Sequence, residues 1–156
     1  MFGLTRKVDY ALVALAHLAN ADGHGNEPVS ARKIAETYDL PTHLLLNIMK
    51  ELHQAQIVDS TRGARGGYAL KRSPDTIRMT DVIEAIEGPI AIALCCDETD
   101  KDPAATDCSC STIGKCPIIE PIRRLNDRIR DFLYRVTLND LLTSSVDLPL
   151  SALRKV

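Results

Sequence analysis

A chain of 156 residues with 45% apolar content can bury one real core, as a single domain or as a small domain carrying a dimerisation element. No apolar run approaches the roughly 18 residues that span a membrane, and Arg6, Lys7 and Asp9 interrupt the first apolar stretch; we therefore expect no membrane segment, no signal peptide and a cytoplasmic protein. The net charge of -2 argues against a polyanion partner only on average, because residues 57–78 carry Arg62, Arg65, Lys71, Arg72 and Arg78 against Asp59 and Asp75, while residues 93–110 carry five acids against Lys101 alone.

Leu4, Val8, Ala11, Leu12, Leu15 and Leu18 recur at helical spacing, which predicts an amphipathic helix up to the loop "NADGHGNEP". Ser30 then caps a short helix with Ala31, Ile34 and Ala35 inward, and "YDLP" breaks it. A second helix opens at Pro41, a favoured first-turn position, and runs to Gln54 with Leu45, Ile48 and Leu52 inward. Two helices so closely spaced make a helix-turn-helix candidate. The pattern next becomes extended: "IVDST" and "GYALK" are strand-like runs joined by "RGARG", a basic β-hairpin placed where a wing would be.

Met79 to Glu87 reads as a helix capped by Thr80 and ended by "GP". From Ile118, the residues Ile122, Leu125, Ile129, Phe132 or Leu133, and Val136 alternate steps of four and three, the seam of a coiled coil, on a helix of about 25 residues. A helix buried in its own protomer's core is the plain alternative; the length and the charged outer face favour a homodimer. The fold class expected is mainly α with a small β wing: a winged helix-turn-helix domain over 1–88, a cysteine-rich loop over 89–117, a dimerisation helix over 118–143 and a loosely ordered tail over 144–156.

In a winged helix-turn-helix, residues near the start of the second helix reach base edges in the major groove of double-stranded DNA. Here those are Thr42, His43, Leu46 and Asn47; Asn47 can pair with adenine, and Lys50 suits a phosphate. A solvated helix face is the bland reading of these residues. The wing is more specific, because "RGARGGY" presents Arg62 and Arg65 on a glycine-rich turn that lets backbone approach a groove.

All five cysteines lie within 22 residues, in a segment too rich in Asp, Thr, Pro and Gly to be core. In a reducing compartment such clusters bind metal or sense redox state more often than they form disulfides, and an odd count fits that. The two close pairs of a structural zinc site are missing, and "CC" and "CSC" are too tight to chelate easily, so one member of each is spare. Three spread thiolates can wrap an iron–sulfur cluster, while zinc and a thiol redox switch stay open on spacing alone. A thiol oxidoreductase would need a C-x-x-C pair beside a βαβ unit, and neither occurs, so no enzyme is expected.

The runs "LTRKVDYAL", "RGARGGYAL", "AIEGPIAIALC" and "CPIIEPIRRLNDRIRDFL" follow one another in an order that resembles the IscR/NsrR-type winged-helix repressors, sensors of iron–sulfur status, nitric oxide or redox state; the likeness covers residues 2 to about 143. Within them, "DYA" and "EGPIA" are most similar to regulators of the sulfur-mobilisation cluster-assembly operon. The resemblance implies a homodimeric repressor on a double-stranded DNA operator, controlled by an iron–sulfur cluster of 2Fe-2S or 4Fe-4S type. It matches Cys95, Cys110 and Cys116 to the family's three ligands, although the stretch between the first two is longer here than in the family, which lets Cys108 compete. The family's histidine, three residues after the last cysteine, is replaced by Ile119. Asp9 stands where the nitric-oxide-sensing type supplies a carboxylate from the other subunit; a solvated helix carboxylate is its plain alternative.

Overall fold

The computed structural model describes residues 4–21, 28–63, 66–96 and 115–143. In chain order these form α1 (Arg6–Ala21), α2 (Ala31–Thr37), α3 (Thr42–Gln54), β1 (Val58–Thr61), β2 (Gly67–Leu70), α4 (Met79–Glu87), α5 (Ile119–Arg135) and α6 (Leu138–Leu142), with single 3-10 turns at Pro74–Thr76 and Leu94–Cys96. The core is built where α1, α3 and α4 meet. Leu15 and Leu18 from α1, Ile34 from α2, Leu45, Ile48, Met49 and Leu52 from α3, and Val82 from α4 are all fully buried there. Each such side chain contributes about 1.5–3 kcal/mol by leaving water.

The helix-turn-helix forms as expected. Ser30 accepts the Lys33 N–H at 3.2 Å and starts α2; after its last turn Asp39 adopts φ 53, a left-handed conformation that a short Asp tolerates. Pro41 stands just outside α3 as its N-cap, so the helix starts at Thr42, one residue later than expected. The wing is a two-stranded antiparallel ladder with Val58 opposite Leu70 and Thr61 opposite Gly67. Val29 adds a third short rung: its N–H donates to the Tyr68 carbonyl at 2.9 Å, and the Tyr68 N–H donates back at 2.8 Å. A Cβ on Gly67 would lie 2.5 Å from the Val29 backbone, so only glycine allows this approach.

Two expectations are corrected. Thr80 does not cap α4: it is buried in the first turn at 4% exposure, Arg78 is the N-cap, and the Asp81 carboxylate accepts the Arg78 N–H at 3.3 Å. An acid at that position satisfies an otherwise orphaned N–H and suits the positive end of the helix dipole. The helix expected over 118–143 is two helices, because Val136 is extended (φ -82, ψ 123). There the Met79 N–H donates to the Val136 carbonyl at 2.9 Å and the Leu138 N–H to the Ile77 carbonyl at 2.8 Å. This clip between the α5–α6 junction and the entry to α4 diverts the chain from helical geometry. Thr137 then caps α6, exchanging hydrogen bonds with Asp140, whose carboxylate is held below its ordinary pKa by the Thr137 N–H and hydroxyl. The tail from Ser144 lies outside the described residues.

Candidate DNA-reading surface and cysteine segment

The amphipathic pattern of α3 decides which side chains face out. Leu45, Ile48, Met49 and Leu52 fill the core, so the opposite face carries His43, Leu46, Asn47 and Lys50, all exposed, with Thr42 half-buried at the first turn. Asn47 and Lys50 also line a shallow cleft with Gln54 and with Lys7 of α1. Two lysines from separate helices thus flank the end of this exposed face. One oxygen of Glu51, on the same cleft wall, is buried and has no hydrogen-bond partner among the described residues.

At the wing tip Arg62 is exposed and Gly63 has φ 116, the left-handed region that favours glycine. The Gly66 N–H closes the turn on the Gly63 carbonyl at 2.9 Å. Arg65 lies outside the described residues. The other cations of this segment are engaged within the chain. Lys71 contacts Gln56 and sits 3.6 Å from Asp59; Arg72 pairs with Asp81 at 3.0 Å; Arg78 donates to the Tyr134 carbonyl at 2.7 Å and stacks 4.0 Å above the Tyr134 ring. Charge counting along the sequence therefore does not show that these cations already have partners within the chain.

The described start of the cysteine segment, residues 92–96, is fastened along one side of α5. The Ile92 N–H donates to the side-chain oxygen of Asn126 at 3.1 Å, and Asn126 is 5% exposed. The Arg123 Nε donates to the Cys95 carbonyl at 3.1 Å, and the Cys96 thiol lies 3.9 Å from the Ile122 carbonyl. These contacts sort two adjacent thiols. Cys96 is buried, and its pKa is pushed up first by that burial and then by the neighbouring Cys95. Cys95 is part-exposed, as is Cys116, which enters α5 three residues before Ile119. Cys108 and Cys110 lie outside the described residues.

Asp9 is exposed on the first turn of α1. Among the described residues no three His, Cys, Asp or Glu side chains converge on a common point, so a single chain does not bring Asp9 together with Cys95 and Cys116. Sequence reasoning missed Ile122, Arg123 and Asn126 as the anchors of the cysteine segment. The only signal for Asn126 was a polar residue beside the α5 seam, which coiled coils use to fix register.

The model of a family described as "Rrf2: Iron-dependent Transcriptional regulator" matches residues 4–144. The chain is 33% identical over 138 residues to the HTH-type transcriptional regulator CymR of Bacillus subtilis, covering 88% of each. The solved structure of that protein, described as the global cysteine regulator of B. subtilis, superposes with a TM-score of 0.66 at 32% identity, over 92% of this chain and 98% of that one. The HTH-type transcriptional regulator IscR of Cereibacter sphaeroides is 38% identical over 84 residues, 54% of each chain. T. potens IscR gives a TM-score of 0.65 at 27% identity, over 92% of this chain and 88% of that one.

Proposed function

The chain belongs to the Rrf2 family and is a DNA-binding transcriptional regulator, and from that premise we propose that it works in the cytoplasm as a homodimeric repressor whose hold on operator DNA is set by an iron–sulfur cluster. Cys95, Cys110 and Cys116 would hold the cluster, and Asp9 of the partner subunit would complete the ligand set. The observation that carries this reading is the sorting of thiols on α5. Cys95 and Cys116 are part-exposed near the start of α5, while Cys96 is buried with its thiol against the Ile122 carbonyl and is the least accessible of the three to a metal. Soft, accessible thiolates are the donors that iron–sulfur centres take. When bound, the group would supply ligand exchange and electron transfer at iron, without turnover of a substrate.

The chain's own contacts offer a route from the cysteines to the DNA surface. Helix α5 is joined to α4 by the Arg130–Glu84 ion pair at 3.3 Å and, through the Val136–Leu138 clip, to Ile77 and Met79, which follow the wing. A shift of α5 along its axis would therefore act on the base of the wing and on α4 together. Such a shift alters operator affinity only by the difference in ligand affinity between the two arrangements. The dimer is supported by the apolar side of α5 that the other described residues leave open, where Ile118 and Leu125 are 57% and 47% exposed with Ile122 and Ile129 half-buried between and after them. His43, Asn47 and Lys50, with Thr42 and the wing arginines Arg62 and Arg65, form the DNA-facing set.

Anaerobic purification followed by iron and sulfide analysis tests the ligand set. Cys95→Ala, Cys110→Ala and Cys116→Ala should each abolish a stable cluster, and Cys96→Ala should retain it. Full iron and sulfide in Cys95→Ala would overturn the assignment. A metal-free cysteine switch is the second reading, favoured by the adjacent Cys95–Cys96 pair and by the likeness to a protein described as a global cysteine regulator. It requires an iron-free protein from the same preparation.

A further inference from the structure

We propose that Leu46 reads the methyl group of a thymine in each half-site, so that operator choice depends on an apolar contact as well as on hydrogen bonds. The inference rests on α3 being the reading helix. Leu46 is 38% exposed, on a helix whose inward positions are already filled by four fully buried side chains. It takes no part in the core. A lone exposed leucine is unremarkable on a protein surface; here its position decides. It follows His43 by three residues and precedes Lys50 by four, so it lies between them on one face, beside Asn47. A duplex touched by those polar groups must also cover Leu46.

The major-groove edge of a base pair consists mainly of hydrogen-bond donors and acceptors; its one sizeable apolar group is the 5-methyl of thymine, where cytosine has only a C5–H. Covering a donor or acceptor with an isobutyl group strips it of water without supplying a hydrogen bond, which is unfavourable. Against the thymine methyl the same side chain loses water on both sides. Leu46 therefore favours thymine at the position it faces and disfavours every pair that presents only polar atoms there. In a symmetric dimer the preference appears twice per operator.

The test removes the methyl group and nothing else. Operators are selected from a random duplex pool with the full-length protein, and each symmetry-related pair of thymines is replaced in turn by deoxyuridine, which keeps every hydrogen-bonding atom. One pair should weaken wild-type binding by about fourfold per methyl group. Leu46→Ala, whose helix content is checked by circular dichroism, should bind the thymine and uridine duplexes equally, and Leu46→Met should regain the discrimination. If every uridine duplex changes wild-type and Leu46→Ala affinity by the same factor, the inference is overturned while α3 remains the reading helix. If no duplex is enriched at all, the reading-helix assignment fails and this inference fails with it.

Discussion

Replacing Asn126 by Ala removes the acceptor that holds the cysteine segment on α5. The side-chain oxygen accepts the Ile92 N–H at 3.1 Å from a site only 5% exposed. Alanine leaves that N–H without its partner, a loss of about 1–3 kcal/mol for a buried donor. Ile92 is itself half-buried, so water can take part of the hydrogen bond and the lower half of the range applies, about 1–2 kcal/mol. At roughly 2–4 °C per kcal/mol for a chain of this size, the melting temperature falls by about 2–8 °C. The more local readout is Cys96, four residues further on and packed against the Ile122 carbonyl. With the other four cysteines changed to Ser, the rate at which a thiol reagent labels Cys96 reports how often the segment lifts from α5. That rate should rise about 5- to 30-fold, the factor equivalent to 1–2 kcal/mol. Asn126→Leu refills the volume without an acceptor, so it should regain part of the melting temperature and little of the protection. Unchanged melting and unchanged labelling in Asn126→Ala would refute the anchoring role.

Gly67→Ala places a Cβ 2.5 Å from the Val29 backbone, next to the residue that caps α2, and should destabilise the chain by about 1–3 kcal/mol in urea unfolding, with the loss of hairpin rather than helix signals first. Asp140 titrates below its ordinary pKa because Thr137 donates two hydrogen bonds to the ionised form. Its stabilisation is therefore present above the unfolded carboxylate pKa of about 4 and lost as pH falls through the lower folded value. Asp140→Asn should be less stable than wild type at pH 7, and the gap should close in melts below about pH 4. Arg62→Ala should lower the slope of log affinity against log salt by about one if this side chain neutralises a phosphate; an unchanged slope removes it from the interface.

The local elements were legible because their signals are local. Ser30, "YDLP" and the alternation on either side of "RGARG" specify caps, breaks and strands within a few residues, and α2, α3, β1 and β2 follow them. The end of α5 was not legible from periodicity, since Val136 continues the apolar seam whether it is helical or extended. The Thr137–Asp140 spacing of a capping box was the available sign of a new helix start. Asn126 was hidden for another reason: its partner, Ile92, lies 34 residues away, a pairing that no local pattern encodes. The internal partners of the basic segment were not legible either, because Asp59, Asp81 and Tyr134 meet Lys71, Arg72 and Arg78 only once the chain folds. Cys95 and Cys96 are indistinguishable as letters; burial against α5 separates them.

The central claim, that a cluster on α5 governs the grip on DNA, is tested most directly by one paired measurement. Anaerobically purified protein is split, one half is stripped of its cluster by chelator and oxidant and then fully reduced, and iron, sulfide and operator affinity are determined on both halves. The account predicts iron and sulfide in the untreated half and an operator affinity that differs between the halves at least tenfold, with Cys96→Ala behaving as wild type. Iron-free protein whose affinity nonetheless shifts between reduced and oxidised thiols, or iron-loaded protein whose two halves bind the operator equally, would contradict it.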